Sequence, residues 1–400
     1  MQPPRWEVAD LIRVAGQRFI DQNSHWLTGQ HLKVLRAIEQ CRTAALGGHV
    51  DKCSQCGYRT ISFNSCRDRH CPKCQASARE RWLEARRKEL LPVRYVHVVF
   101  TVPRELAPLA MHNKKIFYEL LFRTTAETLR TIAADPKHLG ADIGFFSVLH
   151  TWTQKLLYHP HIHCVVPSGG LSRDGSRWIH SRYPFFLPVK VLSRVFRGKL
   201  IAALKRAFAQ GKLVFPGTLK PIAQPKTFAA FLRPFFRQDW VVYCKPPLAG
   251  PDHVLKYLGS YTHRIAISNH RLVDFQQDQV TFRWRDSAHG NKQRKLTIPV
   301  TEFLRRFFLH VLPYHFVRIR HYGFLANRRR RAFLALCVHL LATASLLTPP
   351  PKSNAPSPAF SWQCPRCGGT MVMIQQLEAD DPLLRSPPQL AATRSYDSRF

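Results

Sequence analysis

Apolar residues recur at helical spacing over residues 5–46. Leu11, Ile12 and Val14, then Leu32, Leu35 and Ile38, fall on the inner side of successive turns. Gly47-Gly48 stops the pattern, and residues 49–75 read as a short, polar, loop-like module. A charged helix over 76–91 ends before Pro92. The period then changes to that of strands. Val93 to Val102 is β-branched and aromatic, and Ile143 to Trp152 and Ile162 to Val166 form a further pair joined by a turn at His159-Pro160. Helices are expected over 104–135, 188–210, 251–262 and 300–312, a short strand over Trp240 to Cys244, and β-hairpins over 271–298.

This order predicts an α+β fold: a mainly antiparallel sheet flanked by helices, preceded by a helical and cysteine-rich N-terminal region. Three segments are expected, 1–91, 92–330 and 331–400, with a Pro/Ser-rich linker over 349–361 and no internal repeat. The apolar run Ala332 to Leu347 is short of the ~20 residues a spanning helix needs and reads as a buried helix. The N-terminus shows no apolar signal region, so no membrane partner is expected.

Charge narrows the partners. The 400 residues carry 60 Lys+Arg against 25 Asp+Glu, a formal net charge of +35. The excess is +8 over residues 1–100, +15 over 101–250, +11 over 251–340 and only +1 over 341–400. Basicity spread through segments that also carry core residues calls for a polyanionic partner, nucleic acid first and an anionic membrane second. The acids are scarce where chemistry would sit. Residues 101–250 hold only Glu105, Glu119, Glu127, Asp135, Asp142, Asp174 and Asp239. A nuclease here is expected to hold its metal with histidines rather than with a carboxylate cluster.

The cysteines come in knuckles. Cys53-x2-Cys56 and Cys71-x2-Cys74 present thiolates in pairs and predict one structural Zn²⁺ on those four residues. Cys41, His49, Cys66 and His70 would complete a second zinc site. Cys364-x2-Cys367 is half of a third, with Cys337 and His339 as candidate partners. Lys52, Arg59, Arg67, Arg69 and Lys73 lie beside the knuckles and suit phosphate contact.

Two further patterns carry chemistry. In His159-Pro160-His161-Ile162-His163, alternation on a strand puts His161 and His163 on one face, placed to hold a divalent metal. Gln154, across the connection, is the expected third ligand, ahead of His150 and His159. In Lys256-Tyr257-Leu258-Gly259-Ser260-Tyr261, two tyrosines at i and i+4 share one helix face. Phe145, Phe146, Trp152 and Tyr158 are candidate stacking platforms for unpaired bases.

With these residues in hand, the chain resembles the rolling-circle transposases of the insertion sequence 91 type, which are two-tyrosine HUH endonucleases. ALGGHVDKCSQCGY and SCRDRHCPKCQ are similar to that family's zinc-binding region. LHTWTQKLLYHPHIHCVVPSGGL, YLGSYTHRIAISNHRL and HYGFLANRRRR are similar to its catalytic region. The resemblance implies that His161 and His163 hold Mg²⁺ or Mn²⁺ and that Tyr257 and Tyr261 are nucleophiles. It implies single-stranded DNA at element ends and at the target as substrate, with 5′-phosphotyrosine intermediates. Residues 1–91 would recognise DNA through one or two zinc ions, 92–330 would be the catalytic domain, and Lys256 and Arg264 would flank the DNA. Localisation would be cytoplasmic, with the nucleoid when DNA is bound. A non-catalytic zinc protein and a related replication initiator stay open as alternatives.

Overall fold

A computed structural model describes residues 4–181, 186–244, 259, 265–286, 289–344, 362–379 and 381–385. Among the described residues, helices alternate with four sheets and every paired strand is antiparallel, consistent with an α+β chain. Apart from Gly259, the expected helix over 251–262 lies outside the described residues, and so do Lys256, Tyr257, Tyr261, Arg264 and the linker. No helix among the described residues is long and apolar enough to cross a membrane.

The chain divides into two compact units, and not along the expected boundaries. One comprises 80–262 and 312–349, the other 1–79, 263–311 and 350–400. Long-range pairing explains the difference. The late strand Met371–Leu377 lies along Gly48–Cys53, and helix Val300–Phe308 packs on helix Val8–Asn23, with Phe308 stacked on Phe19 at 5.3 Å.

In the unit of 80–262 and 312–349, a five-stranded sheet has the order Ile319–Tyr322, Phe145–Trp152, Tyr158–Pro167, Tyr95–Thr101, Val242–Cys244. Alternate residues of three strands (Val96, Val98 and Phe100; Phe145 and Leu149; Ile162, Cys164 and Val166) enter the main core. There they meet Leu121 and Leu129 of helix Lys114–Ala134 and Phe196, Leu200 and Leu204 of helix Val189–Ala209. On the opposite face, Tyr95, Phe146, Val148 and Val165 pack under Trp82 and Leu83. Strand Phe145–Trp152 is buried at every residue but Trp152, the polar Ser147, His150 and Thr151 included, so burial along it does not alternate.

The run beginning at Ala332 forms helix Arg330–Ala344, and it is amphipathic rather than buried. Cys337 and Leu341 pack with Leu91, Trp178 and Phe324, while Val338 is exposed. Cys337 is thus a core residue and does not join the C-terminal knuckle.

In the other unit, the meander Leu272–Gln276, Gln279–Asp286, Lys292–Pro299 feeds Pro299 into helix Val300–Phe308, where Phe282 meets Phe303 edge-on. The module expected to be loop-like is a hairpin, Gly48–Cys53 with Arg59–Phe63, made three-stranded by Met371–Leu377. Its strands are short, and the cysteines at their ends mask the alternation.

Candidate metal centre and zinc clusters

The histidine hairpin begins as a register problem. Strands Phe145–Trp152 and Tyr158–Pro167 pair His150 with His161 and Val148 with His163. Side chains of directly paired residues share a face, so all three imidazoles project together. The turn lies at 153–157, earlier than expected, with the Thr153 N–H donating to the Leu157 carbonyl at 2.9 Å. His159 and Pro160 are inside the strand, at a bulge: between the pairs His150–His161 and Trp152–Tyr158, the single residue Thr151 faces both of them. A proline is tolerated there because a bulge leaves its position outside the ladder.

His150, His161 and His163 bring one ligand nitrogen each within 4.8 Å of one another. Ring centroids lie 4.2 Å apart for His150 and His163 and 4.9 Å apart for His161 and His163. The third imidazole is therefore His150, whereas Gln154 stands exposed in the turn. Two hydrogen bonds orient the rings. Nδ1 of His161 donates to the His159 carbonyl at 2.7 Å, which makes Nε2 the lone-pair nitrogen. Nδ1 of His163 meets Nε2 of buried His97 at 2.8 Å. Trp152 stacks on His150 at 4.4 Å. Burial pushes His161 down to about 4, so its ring is neutral at neutral pH, as a metal ligand must be.

Of the four candidate stacking residues, Phe145 and Phe146 are core. Tyr158 is bonded through its hydroxyl to that of buried Tyr118 at 2.7 Å. Trp152 is half-buried at the edge of the cluster. In the same unit, Lys205, Lys226, Arg233 and Arg237, with exposed Phe236, line a hollow of about 710 Å³.

The cysteines regroup. Cys41, Cys66, Cys71 and Cys74 form one tetrad; Cys53, Cys56, Cys364 and Cys367 form another. The expected set Cys53, Cys56, Cys71, Cys74 is split between them because the hairpin carries the first knuckle away from the second. The Cys2His2 set does not form either. His70 is held by Asp68 at 2.8 Å, and His49 faces Asp51 at 3.3 Å. Lys52 and Arg59, cross-strand neighbours, are exposed, as are Arg67 and Arg69. Lys73 is not available for phosphate: its ammonium pairs with Glu7 at 2.7 Å, and its side chain is only 14% exposed.

Residues 11–102 match the family model described as a transposase zinc-binding domain, and residues 144–332 match one described as a putative transposase. A protein described as a putative transposase of Sinorhizobium fredii is 53% identical over 380 residues, covering 92% of this chain and 95% of its own length. The chain belongs to the insertion sequence 91 family of transposases. The transposase of insertion sequence element IS801 from Pseudomonas savastanoi pv. phaseolicola is 28% identical over 340 residues, covering 83% of this chain and 80% of its own. The three histidines fall inside the transposase match, and the tetrad of Cys41, Cys66, Cys71 and Cys74 falls inside the zinc-binding match. Cys364 and Cys367 fall inside neither.

Sequence reasoning ranked His150 too low and gave His97 no role. Regular pairing across the five-residue turn would set Leu149 opposite His161; the bulge between His150 and Trp152 moves the partner to His150, and no local pattern announces that bulge. His97, from a strand 64 residues upstream of His161, has no local signal.

Proposed function

We propose that this transposase cleaves and rejoins single-stranded DNA at element ends by transesterification, with Tyr257 and Tyr261 as nucleophiles. The observation that carries the reading is the gathering of His150, His161 and His163 within 4.8 Å on one sheet face. Their three imidazole nitrogens fit a divalent ion and favour Mn²⁺ over the harder Mg²⁺. Such an ion, when bound, supplies Lewis-acid polarisation of a phosphodiester oxygen.

The chain's own groups do the rest. A tyrosine oxygen attacks phosphorus as the P–O3′ bond breaks. The tyrosine loses its proton, and the released 3′-oxygen gains one. The products are a 5′-phosphotyrosine and a free 3′-hydroxyl. A 3′-hydroxyl attacking that phosphotyrosine reverses the exchange and rejoins a strand, and a second tyrosine allows a second transfer before the first strand is released. One P–O bond forms for each that breaks, so no nucleotide cofactor is needed. Lys205, Lys226, Arg233 and Arg237 offer a phosphate track with Phe236 as a base-stacking surface. Exposed Lys52, Arg59, Arg67 and Arg69 offer phosphate contacts in the zinc-binding region.

The test is incubation of the protein with single-stranded oligonucleotides of the element ends and Mn²⁺, followed by denaturing electrophoresis. A DNA-linked band is expected, absent when Tyr257→Phe and Tyr261→Phe are combined. A band that persists in the double variant contradicts the assignment.

A further inference from the structure

The C-terminal cysteines lie outside both family matches, yet they are built as the counterpart of the first knuckle. Cys53-Ser54-Gln55-Cys56-Gly57 and Cys364-Pro365-Arg366-Cys367-Gly368 fold alike. Each opens with an i+4 backbone bond, Gly57 N–H to the Cys53 carbonyl at 3.2 Å and Gly368 N–H to the Cys364 carbonyl at 2.9 Å. Each closes on a glycine in the left-handed region, at φ 71° and 73°. Each turns backbone amides toward sulfur. Gln55 and Cys56 N–H face Cys53 Sγ at 3.4 and 3.5 Å; Arg366 N–H faces Cys364 Sγ and Gly369 N–H faces Cys367 Sγ, both at 3.4 Å. Amides aimed at sulfur stabilise thiolate rather than thiol.

The two knuckles face each other. Cys53 Sγ lies 3.5 Å from Cys367 Sγ, and Cys56 Sγ lies 3.6 Å from Cys364 Sγ. Disulfide sulfurs sit about 2.05 Å apart. A tetrahedral zinc with Zn–S of about 2.3 Å sets its sulfurs about 3.8 Å apart. The spacing fits the second geometry. The surroundings fix the approach: the Ser54 N–H donates to the Thr370 carbonyl at 3.0 Å, Arg366 lies over the Tyr58 ring at 4.6 Å, and Cys53 pairs with Met371 in the ladder.

We infer that Cys53, Cys56, Cys364 and Cys367 form a second tetrathiolate zinc site, separate from that of Cys41, Cys66, Cys71 and Cys74, which clasps the C-terminal segment 362–385 onto the N-terminal zinc module. Zinc enters as Zn²⁺ and the four thiols lose their protons, with no change of oxidation state. Because two ligands lie at 53 and 56 and two at 364 and 367, the clasp closes only once the chain has been made through Cys367. Met371–Leu377 then adds the third strand, and Leu377 and Leu384 complete a small core with Val50 and Ile61.

The full-length protein tests this without any mutation. Cys56 and Cys367 are exposed residues, so their alkylation reports the metal directly. Iodoacetamide followed by peptide mass spectrometry is expected to leave both unmodified in the protein as purified with zinc. A chelator is expected to raise the modification of both together, at least tenfold. Native mass spectrometry is expected to count two zinc ions, and one in the protein carrying Cys364→Ser and Cys367→Ser. Equal alkylation with and without chelator, a Cys–Cys disulfide in the tetrad, or an unchanged count of zinc in the double variant would overturn the proposal.

Discussion

His97 Nε2 and His163 Nδ1 share a hydrogen bond of 2.8 Å, with His97 buried on the neighbouring strand of the same sheet. Outer partners of this kind fix the tautomer and orientation of a ligating imidazole, and their loss costs about 10- to 100-fold in metal affinity. His97→Ala is therefore expected to raise the Mn²⁺ concentration needed for half-maximal cleavage by about that factor. DNA affinity at fixed salt is expected to stay unchanged. His97→Gln, which can still meet Nδ1, is expected to restore part of the loss. A metal titration of cleavage beside a filter-binding assay checks both.

The register of the hairpin separates two candidate ligands. His150→Ala is expected to abolish the DNA-linked product while leaving salt-sensitive binding intact, because phosphate contacts dominate affinity. Gln154→Ala, in the exposed turn, is expected to keep most activity. Side-by-side adduct yields decide between His150 and Gln154 as the third ligand.

These two residues also mark how far the sequence could be read. The strand and helix order, the shared face of His161 and His163, and the paired cysteines follow from local periodicity and spacing. What did not follow was pairing between distant segments. Gly48–Cys53 with Met371–Leu377 joins residues more than 300 positions apart, and no local pattern states which strand will cover an edge. The same long-range pairing moved Cys53 and Cys56 from Cys71 and Cys74 to Cys364 and Cys367. Lys73 shows a second limit, since a lysine beside a knuckle reads the same whether it meets phosphate or Glu7.

Acid is expected to weaken the unit of the five-stranded sheet. Burial, reinforced by the charges of Arg86 and Arg330, pushes His321 down to about 4. An unfolded histidine titrates near 6.5. Between those values the unfolded chain binds more protons, so stability falls as pH drops from about 6.5 to 4 and is unaffected above that window. Thermal melts at pH 7 and pH 5 are expected to differ less in His321→Gln than in the parent protein.

The basic hollow makes a claim about salt. Each phosphate neutralised on a single strand adds about 0.7 to the slope of log affinity against log salt. Combining Lys226→Ala with Arg233→Ala is expected to weaken oligonucleotide binding and to flatten that slope by about 1.4, if each cation meets one phosphate. A parallel shift with no change of slope would mean that the hollow does not contact DNA.

The most direct test of the central claim is to map the covalent bond itself. Full-length protein is incubated with a single-stranded element end and Mn²⁺, digested with protease and nuclease, and sequenced by tandem mass spectrometry. A nucleotide joined through a 5′-phosphate to Tyr257 or Tyr261 is the expected result. A nucleotide on any other residue, or none from folded protein that binds the same oligonucleotide, would contradict the account.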